Sequence, residues 1–159
     1  MIILLDGPDG SGKSTLANKL AKMTGGYVTH CTQPKPEDGN MFEMYEKILD
    51  AHRDNILKDS RVIILDRCWY SEMVYGPIMR GKSDISYPEM FALEAIVARR
   101  GGILIHCTDT PETLWCRCTT RGEDYIKDYG TFTEICKSFD TLMKVPHLIP
   151  VFKYDYRDY

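Results

Sequence analysis

The residues best suited to hold phosphate lie close to the amino terminus. Gly7-Pro8-Asp9-Gly10-Ser11-Gly12-Lys13-Ser14 matches the pattern G-x-x-x-x-G-K-[ST] in full. Glycines at this spacing let successive backbone N–H groups turn toward phosphate oxygens. A following helix adds the positive potential of its N-terminus, and a lysine reaches the β and γ oxygens. Gly7, Asp9, Gly10, Ser11, Gly12, Lys13, Ser14 and Thr15 are therefore expected to bind a nucleoside triphosphate, with the Ser14 hydroxyl on Mg²⁺. Thr15 continues the helix and is expected to face away from the metal. The loop alone does not say what is done with the triphosphate, because kinases, ATPases and GTPases share it.

Three further groups bear on that question. Asp66-Arg67 ends an apolar run, at the carboxyl end of a strand where open α/β sheets bind ligands. Asp66 is placed to hold Mg²⁺ or orient an acceptor, and Arg67 offers a planar fork to a phosphate; a plain surface ion pair is the structural alternative. Ser71 and Tyr75 are spaced i,i+4 and share a helix face that lines a nucleoside pocket, unless Tyr75 serves only the core. Arg117 and Arg121 have the same spacing and read as a clamp on the triphosphate, against a solvated basic face. Phe42 and Tyr45 either stack on a base or pack as an aromatic pair in the core. His30, His52, His106 and His147 show no ligand or triad spacing and read as structural or surface groups.

These side chains need a scaffold, and the chain supplies one by alternation. Short β-branched runs at 2–5, 27–30, 62–65, 102–106 and 149–154 alternate with helical periods at 13–23, 40–58, 69–79, 87–99, 111–120 and 132–144. That pattern predicts an α/β fold in one domain spanning 1–159: a five-stranded parallel sheet with helices on both faces, a three-layer sandwich. The polar stretches 32–40 and 121–130 are expected to act as short lids. A net charge of −3 disfavours a long nucleic-acid partner, although local basic clusters still suit a few phosphates. The apolar runs are too short to span a membrane. Met1 leads directly into a strand with no signal-like segment, so a cytoplasmic location is expected, with the six scattered cysteines reduced and mostly structural.

Taken together, the phosphate loop through Thr15, Asp66-Arg67-x₃-Ser71-x₃-Tyr75 and Pro111-Glu112-x₄-Arg117-x₃-Arg121 resemble the thymidylate kinase and deoxynucleoside kinase superfamily of P-loop kinases over most of the chain. The resemblance implies ATP and Mg²⁺ as cofactors and a small nucleotide or nucleoside acceptor. It further implies that Asp9 sits near the acceptor sugar, Arg67 holds the acceptor phosphate, Tyr75 crowds the sugar 2′ position and Arg121 covers the transferring group. The chain departs from the family after strand two, where Thr32-Gln33-Pro34 replaces the carboxylate-bearing Glu-Pro. Gln33 cannot act as a base. A nucleoside hydroxyl needs such help more than an ionised monophosphate does, so the departure favours a deoxynucleoside monophosphate; the resemblance implies a thymidylate-like pyrimidine, with the base itself left open. Gln33, Phe42 and Tyr45 are then substrate-binding candidates beside Arg67, Ser71 and Tyr75. A deoxynucleoside kinase, a kinase acting on a modified base in DNA and a nucleotide-binding switch ATPase stay as alternatives, and a homodimer is left open.

Overall fold

The computed structural model describes residues 1–31, 39–59, 62–123 and 125–158, with the backbone alone for 52–59 and 158. Gln33 therefore lies outside the described residues, as does the His52 side chain. Five strands, β1 (Ile2–Asp6), β2 (Tyr27–His30), β3 (Ile63–Asp66), β4 (Ile103–Thr108) and β5 (Val151–Asp155), form one parallel sheet in the order β2-β3-β1-β4-β5. Among the described residues six α-helices connect them: α1 (Lys13–Thr24), α2 (Met41–Asp59), α3 (Trp69–Arg80), α4 (Tyr87–Ala98), α5 (Pro111–Thr120) and α6 (Tyr129–Leu142). A short 3₁₀ turn, Tyr156–Asp158, follows β5.

The side chains of the sheet separate into two apolar clusters with the period of two that a pleated strand imposes. Ile2, Leu4, Ile63, Leu65 and Leu104 point to one face, under Trp69, Tyr70, Leu93, Leu114 and Phe139 from the later helices. Ile3, Leu5, Ile64 and Cys107 point to the other, where Leu16 and Ala17 of α1 cover them. Both faces are therefore covered, as a parallel sheet requires. All six cysteines are unpaired, and only Cys116 is exposed. No helix among the described residues is long and apolar enough to cross a membrane.

Local sequence fixes where the helices begin. Ser86 and Glu89 form a reciprocal capping box on α4, Thr110 accepts from Thr113 N–H ahead of Pro111, and Asp128 accepts from Thr131 N–H. The last of these starts α6 three residues before the expected position, because a cap at Asp128 carries Gly130 inside the first turn. Helix α3 is different: its N-cap, Cys68, makes no side-chain cap bond. Asp6 at the end of β1 supplies it instead, accepting from Cys68 N–H at 3.1 Å and Ser71 N–H at 2.9 Å through Oδ2.

Candidate active site

The adjacency of β1 and β3 brings the phosphate loop beside Asp66-Arg67. Gly7 has φ +149°, and a Cβ there would lie 2.0 Å from the Cys107 carbonyl oxygen on β4, so only glycine lets the loop leave the sheet this way. Lys13 Nζ is folded back into the loop, donating to the carbonyls of Gly7 at 2.8 Å and Pro8 at 2.6 Å and to Ser11 Oγ at 3.2 Å. Burial, together with repulsion from Arg67, lowers its pKa from 10.5 to about 8.

A cavity of about 310 Å³ opens over this loop, lined by Asp9 through Thr15 and by His30, Cys31, Asp66, Arg67, Arg121 and Glu123. Thr15, expected to face away, is exposed on this wall. Ser14 Oγ donates to Asp66 Oδ2 at 2.6 Å, so a hydroxyl and a buried carboxylate meet beside the backbone of the glycine-rich loop. Hard oxygens of this kind suit Mg²⁺, which takes one or two protein ligands and completes its shell with water and phosphate. Among the described residues no group of three or more His, Cys, Asp and Glu side chains gathers as a softer metal would need. His30, read from sequence as a bystander, instead reaches Asp66 Oδ2 through Nδ1 at 2.8 Å. Its signal was its place at the carboxyl end of β2, whose partner residue in the ladder is Asp66. His106 is buried and stacks on Phe139, and His147 pairs with Glu94, in keeping with structural roles.

A second cavity, of about 630 Å³, shares Asp9, Cys31, Arg67 and Glu123 with the first. Met41, Tyr45, Cys68, Ser71, Glu72, Tyr75, Arg80, Gly122 and Tyr125 complete its lining. Between the two cavities lies a hydrogen-bonded chain. Arg67 pairs with Asp9 Oδ1 and donates to Ser71 Oγ at 3.2 Å, and Ser71 Oγ donates to Asp6 Oδ1 at 2.6 Å. The Tyr75 hydroxyl donates to Asp9 Oδ2 at 2.9 Å and accepts from Asp9 N–H at 3.2 Å. Burial pushes the Asp9 carboxyl upward, but the nearby Arg67 and Lys13 charges and the Tyr75 and Arg67 hydrogen bonds outweigh it and leave the pKa below the usual value. Burial pulls the Arg67 guanidinium down, yet Asp9 and its neighbours raise it overall. Arg67 is the one non-glycine with positive φ among the described residues, at +70°, a conformation retained where surrounding structure over-determines it.

Not every candidate converges here. Arg121 lines the smaller cavity, but Arg117 does not share that wall. Its guanidinium donates to the Gly10 carbonyl at 3.3 Å, lies 3.0 Å from Asp109 Oδ2 and covers the Tyr156 ring at 4.7 Å. The i,i+4 pair thus diverges at the end of α5, with Arg117 bracing the outside of the loop and Arg121 at the helix C-cap. Phe42 packs on the core, while Tyr45, edge-on to Trp69 at 5.5 Å, reaches the larger cavity. Asp6, Glu72 and Arg80 were missed. Asp6 had a legible signal, an acid closing an apolar run immediately before the first loop glycine.

No protein-family model and no curated protein sequence matches the chain. Solved structures do. The YorR protein of Bacillus subtilis, in complex with phosphorylated GDP, superposes with a TM-score of 0.71 at 23% identity, over 98% of this chain and 85% of that one. Deoxyadenosine kinase of M. mycoides with bound dATP gives 0.59 at 18% identity, and with the products dCMP and a flexible dCDP 0.57 at 19%, each over 98% of this chain and 90% of that one. At these identities the likeness establishes a shared fold, the P-loop α/β sandwich that the sequence pattern and the resemblance both led one to expect.

Proposed function

We propose that the protein transfers the γ-phosphate of ATP to the phosphate of a deoxynucleoside monophosphate. The observation that carries this reading is the junction of two cavities at Asp9 and Arg67, one built on a phosphate loop and the other of a size for a nucleotide. The deoxyadenosine kinase of the same fold holds dATP, and dCMP with dCDP as products, which supports deoxynucleotides as the class of ligand; the choice of a monophosphate acceptor rests on the missing carboxylate at Gln33.

In this reading the backbone of 10–14 and Lys13 hold the β and γ phosphates, and Arg121 covers the γ group from the lid. Ser14 and Asp66 would hold Mg²⁺, which would supply neutralisation of the triphosphate's charge. Arg67 gives its fork to the acceptor phosphate, exchanging part of its bond with Asp9 for bonds to substrate. An acceptor oxygen attacks the γ phosphorus as the bond to the β-bridging oxygen breaks, yielding ADP and a deoxynucleoside diphosphate. The acceptor oxygen is already ionised, so the step needs positioning and charge neutralisation and no carboxylate base. Tyr75, held rigidly on Asp9, faces the sugar and crowds a 2′ hydroxyl, which selects deoxyribose.

The test is ADP formation with Mg²⁺ and ATP against deoxynucleoside monophosphates, the corresponding nucleosides, and DNA carrying modified pyrimidines. Turnover confined to monophosphates is the expected outcome; turnover confined to nucleosides or to DNA would replace this reading with one of the other kinase classes.

A further inference from the structure

His30 closes β2 and pairs in the ladder with Asp66, which closes β3. Its side chain is 60% exposed, yet the ring turns inward and Nδ1 meets Asp66 Oδ2 at 2.8 Å, where the carboxylate is only 5% exposed. Ser14 Oγ donates to the same oxygen at 2.6 Å. A carboxylate only accepts, so Nδ1 carries the proton in this contact. The strand ends are fixed to one another as well, because Cys31 N–H donates to the Asp66 carbonyl at 3.1 Å. His30, Ser14 and Asp66 all line the smaller cavity.

An exposed histidine gains little fold stability from such a pair, since water competes for its ring. The contact instead fixes a carboxylate: Asp66 is anchored from the glycine-rich loop by Ser14 and from β2 by His30. Both anchors fall on Oδ2, and among the described residues no hydrogen bond falls on Oδ1, which is left for a further partner. Ser14 is itself a candidate metal ligand, so His30 is the anchor that does not also have to serve the ion. The ring suits this role better than direct coordination. Phosphate, hydroxyl and carboxylate oxygens favour Mg²⁺, and among the described residues no third His, Cys, Asp or Glu side chain joins His30 and Asp66 to hold a softer ion. An N–H that orients a ligating carboxylate from outside is worth about 10- to 100-fold in metal affinity.

We infer that His30 is a positioning residue for the metal site, fixing Asp66 through Oδ2 for the divalent ion that accompanies the triphosphate. The inference rests on the triphosphate part of the kinase reading and on no choice of acceptor. The experiment loads wild type, His30→Ala and His30→Asn with an equimolar non-hydrolysable ATP analogue, titrates Mn²⁺ as a paramagnetic substitute for Mg²⁺, and reads free Mn²⁺ from its EPR signal. Calorimetry with the analogue in EDTA supplies the affinity without metal. His30→Ala should weaken Mn²⁺ binding about 10- to 100-fold and leave metal-free binding of the analogue unchanged. His30→Asn, whose amide N–H falls near the place of Nδ1, should stay close to wild type. Three results overturn the inference: equal Mn²⁺ affinity in wild type and His30→Ala, a loss in His30→Asn as large as in His30→Ala, or a matching loss of metal-free binding, which would mark a direct phosphate contact. Wild type that binds neither analogue nor Mn²⁺ overturns this inference and the kinase reading together. The expected Mn²⁺ pattern without transfer to any acceptor upholds the role of His30 and removes the kinase reading alone.

Discussion

At the scale of single residues, Lys13 carries the most direct prediction. A lysine acts on phosphate only as the ammonium, and burial lowers this one to about 8. Because kcat/KM reports the free enzyme, its value for ATP should fall as pH rises through about 8, where an ordinary lysine would hold it level to beyond pH 10. Lys13→Ala should lower kcat/KM about 10²- to 10³-fold, the usual effect of removing one preorganised charge-stabilising donor. Initial rates across pH for the two proteins check both statements. Arg67 adds a case in which one residue serves geometry against local preference. Its left-handed backbone at φ +70° costs roughly 1 to 3 kcal/mol, offset by the bonds its side chain makes to Asp9 and Ser71. Arg67→Lys keeps the charge and loses the fork, so KM for the acceptor should rise while KM for ATP changes little.

Between elements, two buried carboxylates act as staples of different kinds. Asp6 binds the start of the phosphate loop, through Gly7 N–H at 2.9 Å, to the first turn of α3. Asp6→Asn replaces an acceptor with a donor facing other donors, and urea unfolding should show a loss of about 2 to 4 kcal/mol. Glu94, fully buried on α4, accepts from Tyr70 at 2.6 Å, from His147 Nδ1 at 2.7 Å and from Leu148 N–H at 2.7 Å. His147 Nε2 faces the Leu142 carbonyl, which can only accept, so the ring carries both protons. Burial disfavours that imidazolium, but Glu94 more than compensates and its pKa is raised; Glu94, opposed by burial and favoured by the His147 and Tyr70 hydrogen bonds, is lowered. The raised histidine contributes fully below its unfolded value of 6.5 and is lost as pH climbs through its folded value. The lowered glutamate contributes above its unfolded value of 4.5 and is lost as pH drops through its folded value. The melting temperature should therefore crest between about 4.5 and 6.5, and His147→Asn should flatten its alkaline side. The strands and helices were legible because each is locally consistent, a β-branched run or a capped apolar period, and the phosphate loop because its residues are contiguous. Glu72 with Arg80, and His30 with Asp66, were not, since the former lie eight residues apart on α3 and meet where the following turn brings Asp84 N–H onto Glu72, and the latter meet only through the pairing of β2 with β3. The divergence of Arg117 from Arg121 was likewise invisible, because it depends on Asp109 and Tyr156 lying under one guanidinium.

For the molecule as a whole, the order β2-β3-β1-β4-β5 places the carboxyl ends of β1 and β3 together, and both cavities open there. The segment after α5 contributes Arg121 and Glu123 to the smaller cavity and Gly122, Glu123 and Tyr125 to the larger, so one segment lines both. With a net charge of −3, the molecule has no broad excess of cationic charge for a nucleic-acid backbone. Duplex DNA should accordingly fail to compete with a monophosphate acceptor, even at low salt where backbone binding is strongest. The central claim is transfer between two bound nucleotides, and isotope transfer reads it without intermediaries. With γ-labelled ATP, Mg²⁺ and a pyrimidine deoxynucleoside monophosphate, label should pass in one turnover into the deoxynucleoside diphosphate, and Lys13→Ala should slow its passage about 10²- to 10³-fold. Release of all label as inorganic phosphate at a rate indifferent to every acceptor would contradict the account and mark the protein as a nucleotide-driven switch.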